Sequence, residues 1–504
     1  MAEAAPSETQ PLLGHRRDTT ASLGTRLSRT PYFPVIWLFP VVMLASICQG
    51  ISAFARFGYY QDTFCPAPRR MLLLGSRFSL MVMLAGPITL RCGWFEEWVV
   101  MQGVTVRMDM YSTFALFVVS FATVGWWSSY GDRRGRRPVL FVSLLGGLLI
   151  DFIYLVAANI PAIHRDAQDT LSLGLIIQGL LGGVATYNGA VYAYAYDVSP
   201  SSLSRTVIFC GFHAVSFIGF RIGAACGWIV GPTLPHSNLS YILSVIIAAT
   251  NLTYIYFILP ESLPPASQEQ TSEESTSAVN YVFIPFTIFL VRPAKHMILL
   301  AFTVYTYCWT LGLDVSLVTR SLIGNYMPSV PRWVLQTVPG LLRLSTLLCI
   351  IPALALAFKA RYGDNHKSGV LFAKSIASNS ILIATLSIIG IIVFAQYRSS
   401  SHNGFLFGIF FFLHPFTVGA LPALYSLAAS YSLALQRSHK SGALFGSLAI
   451  WASLAEFYSH SVFRFILEPA AFFLICAALL LVPNGPSVTV PVEDASEGER
   501  GGSA

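Results

Sequence analysis

Charged residues are scarce in this sequence: Asp, Glu, Lys and Arg together make up only 11% of its 504 residues. A soluble domain carries roughly 25% charged residues, so this composition excludes an ordinary soluble globular protein. The net charge of +7 does not predict nucleic-acid binding, because the basic residues lie at the ends of apolar runs rather than in one patch. With 54% hydrophobic residues, the chain is expected to be an all-α membrane protein.

Sequence motifs that mark the common enzyme classes are also missing. The chain contains no Walker loop, no His-Glu-x-x-His zinc helix and no Gly-x-Ser-x-Gly turn, and its eight cysteines show no metal-ligand spacing. We therefore expect no enzyme activity, no cofactor, no metal and no nucleic-acid partner. Without a nucleotide-binding motif, any transport must be driven by an ion gradient or by the gradient of the solute itself.

Long apolar runs are abundant, and a short basic turn separates two of them. Met110–Trp127 and Val139–Asn159 each approach the ~20 residues that a helix needs to cross a bilayer. The turn between them, residues 131–137, reads Gly-Asp-Arg-Arg-Gly-Arg-Arg. Four arginines in so short a loop favour the cytoplasmic side of the membrane.

The stretch Ser128–Arg137 resembles the signature between the second and third helices of the major facilitator superfamily, Gly-x-x-x-Asp-Arg-x-Gly-Arg-Arg/Lys. Ser128 stands where that pattern has its leading glycine. The resemblance implies a charge cluster that closes the cytoplasmic face in one of two conformations. A carboxylate can bind a helix N-terminus or an arginine, and rocking of two halves would make and break such a contact. The residues expected to take part in this conformational gating are Asp132, Arg133, Gly135, Arg136, Arg137, Asp197 and Arg205.

The same resemblance implies twelve transmembrane helices in two six-helix halves, with the substrate near the midplane between them. Basic residues recur after the even-numbered spans, which fits both termini lying inside. The second half has only a faint echo of the signature, in Lys359–Asp364, and the turn Asp197–Arg205 is similar to that of proton-coupled folate and related solute carriers. The expected segments are a disordered cytoplasmic tail (1–33), a first six-helix half (34–259), a cytoplasmic linker (260–295), a second six-helix half (296–482) and a cytoplasmic C-terminal tail (483–504).

An atypical insertion, residues about 66–95, has no counterpart in that architecture. Its core, Met71–Leu90, is apolar but interrupted by Gly75, Arg77 and Pro87. This segment is a re-entrant or interfacial hairpin, a true extra helix, or a segment foreign to the fold. A true span would move the arginine-rich turn to the outside, so the arginine distribution argues against it.

Three short features bear on topology and location. Cys65 and Cys92 fall in a loop placed outside the cytosol, where a disulfide can persist, whereas the other six cysteines lie in apolar spans. Asn238-Leu-Ser is a glycosylation sequon in an outer loop. Glu8-Thr-Gln-Pro-Leu-Leu13 matches an acidic dileucine sorting pattern, so the plasma membrane and the vacuolar or lysosomal membrane are both candidate locations.

Ionisable side chains inside the predicted spans cost at least ~2.5–3.5 kcal/mol each, so each one needs a role. Asp151 in span three and Arg221 in span five lie at similar depths. They form either a structural ion pair or a pair that binds a proton or substrate. Spans one, four, seven and ten line the cavity in the superfamily, and they carry further polar groups. The residues expected to bind substrate or protons are Asp151, Arg221, Gln178, Tyr187, Asn188, Tyr192, Tyr305, Tyr307, Asp314 and His414.

The mixture of amides, phenols and an imidazole in that set favours a small amphipathic organic solute over a bare metal ion. We predict a secondary active transporter that works by alternating access and is coupled to protons, with import and export both open. Its expected partners are the lipid bilayer, the solute and protons, and it is expected to act as a monomer. The alternative is a non-transporting membrane scaffold or receptor that retains the fold, for which the polar cavity residues would be dispensable.

Overall fold

A computed structural model describes most of the chain, and all regular secondary structure in the described residues is helical. An apolar run in lipid folds this way because a helix satisfies its own backbone hydrogen bonds. The described residues are 33–64, 97–159, 167–199, 201–233, 238–263, 278–290, 294–315, 332–396, 401–434 and 440–462.

Some of the predicted features lie outside the described residues. They are Cys65 and Cys92, the Met71–Leu90 segment, the two terminal tails and the last predicted span. Their predictions stay predictions.

The described residues of the first half form eight helical segments. The helix that leads into the basic turn begins well before the apolar run that predicted it and ends at Arg134. The segments are α1 (Phe33–Ile36), α2 (Leu38–Phe64), α3 (Glu97–Arg134), α4 (Arg136–Asn159), α5 (Ala167–Leu180), α6 (Gly183–Val198), α7 (Ser202–Thr233) and α8 (Leu239–Phe257).

Helices α2 and α7 pack closely because glycines remove side chains from their interface. A Cβ atom on Gly219 would lie 2.8 Å from the Met43 carbonyl oxygen, and one on Gly223 would overlap the Ile47 carbonyl oxygen. Small residues let helix backbones approach in lipid, where packing rather than water exclusion drives association. This close packing of α2 on α7 holds the polar residues of α2 against the other helices of the first half.

The fourth predicted span, about residues 171–196, is broken into α5 and α6 at two consecutive glycines. Gly182 has φ +98° and Gly183 has φ +61°, a left-handed backbone that glycine adopts without steric cost. The two pieces of this span therefore meet at a bend in the middle of the bundle.

The second half also contains eight described helices, two pairs of which are joined by irregular turns. A π-helical turn, Thr346–Ile350, lies between α11 and α12, and a 3₁₀ turn, His414–Gly419, lies between α14 and α15. The helices are α9 (Ala278–Leu290), α10 (Ala294–Val315), α11 (Arg332–Ser345), α12 (Ile351–Tyr362), α13 (His366–Gln396), α14 (Ser401–Leu413), α15 (Ala420–Ala434) and α16 (Ser441–Val462).

Length and apolar composition identify the candidate membrane crossings. Four shorter apolar helices accompany the long ones in the described residues. The six long crossings are Arg136–Asn159, Ser202–Gly227, Leu239–Phe257, Thr337–Tyr362, His366–Ile391 and Phe405–Ser432.

Helix α9 lies within residues 260–295, which the composition predicted as a linker. It packs on both α3 and α16. The Phe286 ring contacts Phe121 and Trp451, with centroids 5.1 and 5.5 Å apart, and the Trp451 indole N–H donates to the Pro285 carbonyl (3.1 Å). Part of the predicted linker is therefore an apolar helix that contacts helices of both halves.

Candidate functional site

The basic turn between α3 and α4 contacts the start of α16, a helix of the second half. The Asp132 carboxylate accepts hydrogen bonds from the backbone N–H groups of Gly442 (2.8 Å) and Ala443 (3.0 Å). These are first-turn N–H groups of α16 that have no partner within the helix. A buried carboxylate at this position also interacts favourably with the helix dipole. We call this contact the latch.

Arg136 completes the charge cluster of the latch. Its guanidinium contacts Asp132 (2.7 Å) and Asp197 (2.9 Å), and it donates to the Ser441 hydroxyl (2.6 Å). The Arg136 side chain is only 3% exposed, so both ion pairs are largely removed from water. Buried charges are tolerated when they are paired in this way.

Ser128, the departure from the expected signature, faces a glycine across the latch. A Cβ atom on Gly446 of α16 would overlap the Ser128 hydroxyl. A Cβ atom on Gly189 of α6 would lie 2.6 Å from the Gly446 Cα. The helix approach that the signature glycine would allow is thus obtained with a glycine on the partner helix.

Glu261 supports the latch from the segment after α8. Its carboxylate accepts from the backbone N–H groups of Arg136 (2.7 Å) and Arg137 (3.2 Å), the first residues of α4. Gly135 has φ +108°, and a Cβ atom there would overlap that carboxylate. Sequence reasoning missed Glu261, although an acidic residue that caps a helix N-terminus is a common arrangement.

The remaining predicted gating residues are arginines that stack on tyrosines. The guanidinium carbon lies 5.8 Å from the ring centroid for Arg133 on Tyr281 and for Arg137 on Tyr256. For Arg205 on Tyr196 the distance is 4.6 Å. Each of these cation–π contacts holds an arginine against a different helix.

Asp151 lies at a second polar centre, inside the first half. Its carboxylate accepts from the hydroxyls of Ser52 (2.7 Å) and Ser244 (2.6 Å) and pairs with Arg56 (3.2 Å). Asp151 is 4% exposed. The ion-pair partner is therefore Arg56, and not Arg221 as one interpretation of the sequence expected.

Arg221 points elsewhere because of its position around the α7 axis. Its guanidinium lies over the Phe217 ring of the same helix, 5.2 Å from the centroid, and the residue is exposed. Equal depth in two spans does not imply contact, since the rotation of each helix decides which side chains meet.

A cavity of about 150 Å³ opens beside Asp151. Gln178, Tyr187 and Asn251 line it together with Asp151 and Arg56. The Gln178 Oε1, the Tyr187 hydroxyl and the Asn251 Oδ1 are buried and have no hydrogen-bond partner in the structure. Orphaned polar atoms of this kind mark a place that accepts water, a proton carrier or a polar solute group.

The structure does not bring the other predicted binding residues into that cavity. Tyr192 is buried, bonds to His213 and stacks on Tyr425, with centroids 4.3 Å apart, whereas Asn188 is exposed. In the second half, Tyr307 donates to the Thr417 carbonyl (2.6 Å).

Three further predicted residues are placed along the second-half helices and the outer face. Tyr305 lies near Trp451 and His414 is buried at the start of the 3₁₀ turn. The Asp314 side chain lies outside the described part of the chain. Asn238 precedes α8, and its amide bonds to Asn159, so its glycosylation stays a prediction.

Comparison with known proteins agrees with the fold described above. No family model matches the chain. The class D tetracycline resistance protein of Salmonella ordonez is 26% identical over 226 residues, which is 43% of this chain and 52% of that protein. The chain thus spans about half the length of that relative.

A second relative is matched over a longer stretch. The lysosomal proton-coupled steroid conjugate and bile acid symporter SLC46A3 of Gallus gallus is 24% identical over 404 residues, 75% of this chain and 77% of that protein. Among solved structures, the human organic anion transporter MFSD10 superposes with a TM-score of 0.63 at 16% identity, covering 89% of this chain and 98% of the other.

Fold and comparisons together define an integral, multi-pass helical membrane protein with the major facilitator fold. The predicted fold class is thereby confirmed. The chain is similar in sequence to major facilitator transporters, with a weak similarity to the solute carrier group that includes SLC46A3.

Proposed function

We propose that this chain is a secondary active transporter that carries a small organic solute by alternating access. The latch is the observation that supports alternating access most. It joins the two halves at the proposed cytoplasmic face through side chains and helix ends that can separate without unfolding. The latch is formed in this structure, which in our proposal corresponds to the state that is closed on the cytoplasmic side. Opening exchanges its buried ion pairs for water, and closing restores them.

The coupling site in this proposal is Asp151. A proton on the carboxylate removes its charge, while the hydroxyls of Ser52 and Ser244 can still hydrogen-bond to the neutral acid. The ion pair with Arg56 is then lost. Because Asp151 on α4 contacts α2 and α8, its charge state acts on three helices of the first half together. The name of SLC46A3, a proton-coupled symporter, supports proton coupling in general.

The solute class that we propose is an amphipathic organic anion. Arg221 on α7 and Arg343 on α11 lie near the same contact between the halves: Arg221 stacks on Phe217, and a Cβ atom on Gly340, three residues before Arg343, would lie 3.4 Å from that ring. Helix α11 packs on the 3₁₀ turn that begins at His414, and Tyr307 donates to Thr417 of the same turn, so polar and aromatic groups lie near this positive charge. The names of MFSD10, an organic anion transporter, and of SLC46A3 support an anion as well.

Flux into proteoliposomes tests the proposal. A panel of organic anions, cations and neutral solutes is offered with and without an imposed proton gradient. We expect accumulation of an organic anion by the wild type only when the gradient is present. Asp151→Asn should abolish the dependence on the gradient, and Asp132→Asn should lower flux with or without it.

Asp364→Asn serves as the control, because Asp364 is an aspartate in the equivalent turn of the second half. Its flux should stay within about twofold of the wild type, since exposed ion pairs contribute little. A folded wild type that moves no solute of the panel would contradict the transport proposal and favour a membrane scaffold. Uptake of cations alone would overturn only the solute class.

A further inference from the structure

Arg205, at the start of α7, is a buried cation that is not fully satisfied. It is 6% exposed, its Nε donates to the Ser199 hydroxyl (3.1 Å), and its guanidinium lies over the Tyr196 ring. Its Nη1 is buried and has no hydrogen-bond partner in the structure. Burying an arginine without a counter-charge is costly, so this group calls for an acceptor.

A second basic group from the other half of the protein meets it. His366, the first residue of α13, lies beside the first turn of α7 that carries Arg205, since its carbonyl accepts from the Ser202 hydroxyl. The His366 Nε2 is also buried and has no hydrogen-bond partner in the structure. Two unsatisfied nitrogen groups from opposite halves therefore converge at the cytoplasmic face.

The N-termini of two helices meet at the same place. The Ser202 hydroxyl of α7 donates to the His366 carbonyl of α13 (3.5 Å), and a Cβ atom on Gly369 would lie 2.7 Å from the Leu203 backbone nitrogen. Helix N-termini carry partial positive charge and free N–H groups, which favour anions. Both helix ends thus add to the positive potential around Arg205 and His366.

The acidic side chains nearby are bound to other groups. Asp197 pairs with Arg136 and accepts from Ser262, and Asp364 pairs with Lys359. Within the described residues, neither carboxylate forms an ion pair with Arg205. In the part of the chain that the structure describes, Arg205 therefore has no carboxylate in an ion pair with it.

We propose that a small inorganic oxyanion of the phosphate class binds between Arg205 and His366 at the N-termini of α7 and α13. The anion accepts the Nη1–H of Arg205 and the Nε2–H of His366, which satisfies both buried groups. Because it bridges the two halves, it stabilises the closed cytoplasmic face; this last step rests on the proposed alternating-access function. The site would make the closed state sensitive to cytoplasmic anion concentration.

Thermal unfolding of the purified full-length protein in detergent tests the site without any transported solute. Unfolding is compared in potassium phosphate, chloride and gluconate at equal ionic strength. At ten times Kd, phosphate should raise the Tm of the wild type by about 1–2 °C over gluconate, and chloride should raise it less. Arg205→Gln and His366→Gln should each lose most of that rise.

Arg361→Gln is the matched control, since Arg361 is an exposed arginine near the cytoplasmic end of α12. It should keep the full response to phosphate, which separates site binding from the general stabilisation by phosphate salts. In gluconate, Arg205→Gln should unfold at the same temperature as the wild type or higher, because it removes an unneutralised buried charge. An undiminished phosphate response in both Arg205→Gln and His366→Gln would overturn the site.

The bridging step has its own measurement. Cys210 is fully buried in α7, so its reaction with a thiol reagent reports opening of the packed interface. With the other seven cysteines replaced by serine, phosphate should slow this labelling. A phosphate-dependent Tm without slower labelling would keep the anion site but reject its role in closure.

Discussion

Two turns between helices carry the same tripeptide and yet differ in their contacts. Tyr-Gly-Asp ends at Asp132 in the first half and at Asp364 in the second. Asp132 is 7% exposed and bonds across the interface to α16. The Asp364 side chain is 32% exposed and pairs with Lys359 of its own turn (2.7 Å). Asp364 also interacts with Ser201 of the first half, but from an exposed position. The comparison shows that burial and the charged partner, rather than the tripeptide, decide whether an aspartate is enclosed between the halves.

The residue four positions after each aspartate explains much of the difference. In the first turn it is Arg136, which pairs with Asp132 inside the protein. In the second turn it is Ser368, whose hydroxyl bonds to the Gly363 and Asn365 carbonyls and stabilises the turn itself. A buried carboxylate needs a counter-charge, and only the first turn supplies one at this position.

Replacing Arg136 with serine, the residue at the matching position of the second turn, should have the largest effect on the contact between the halves. Arg136→Ser leaves Asp132 and Asp197 as buried carboxylates without their shared cation, which costs about 3–5 kcal/mol. We expect Cys210 labelling to rise by at least about 100-fold, or the protein to unfold at lower temperature. The double variant Arg136→Ser with Asp132→Asn should recover part of the loss, and failure to recover any would show that the charges are not coupled.

Asp132→Asn should have the next largest effect. The amide keeps the shape but loses the charge that binds both Arg136 and the α16 N-terminus, for a cost of about 1.5–3 kcal/mol. Labelling of Cys210 should rise by about tenfold or more, because 1.4 kcal/mol is a factor of ten in an equilibrium. Wild-type labelling in this variant would mean that the latch does not set the closed state.

A methyl group at the latch should act through packing alone. Gly446→Ala places a Cβ atom into Ser128, and overpacking of this kind costs about 1–3 kcal/mol. We expect faster Cys210 labelling and a lower Tm. Gly147→Ala is the matched control, since a Cβ atom there meets no atom within 4 Å, and equal effects of the two substitutions would contradict the packing argument.

Asp364→Asn should have the smallest effect, because an exposed ion pair contributes about 0–1 kcal/mol. The hydrogen bond from Lys359 lowers the pKa of Asp364, so this contact persists above the ordinary carboxyl pKa and is lost only as the pH falls through the lowered value. Cys210 labelling and Tm should therefore match the wild type from about pH 5 to 8. A change as large as that of Asp132→Asn would erase the distinction between the turns.

The latch was open to prediction because half of its chemistry is local in the sequence. Asp132 and Arg136 are four residues apart at a helix end, and the glycines and arginines around them mark a cytoplasmic turn. The other part of the latch chemistry could not be predicted from the sequence. The backbone N–H of Gly442, 310 residues away, belongs to a helix start that carries no side-chain signature.

The polar centre at Asp151 was only partly predictable for a geometric reason. Hydropathy ends the first span near Ala53, which places Arg56 in a loop, whereas α2 continues as a helix to Phe64. Depth along a span can be read from a sequence, but rotation about the helix axis cannot. That rotation turns Arg56 toward Asp151 and leaves Arg221 beside Phe217.

Glu261 has a mechanical consequence for how the two halves move. Its carboxylate binds the segment after α8 to the first turn of α4. The end of the first half is therefore hydrogen-bonded to the third span of the same half. The same two residues of α4 belong to the latch turn. In the proposed transport cycle, the first half should therefore move as one rigid body, and a displacement of the chain after Glu261 should act first on the latch.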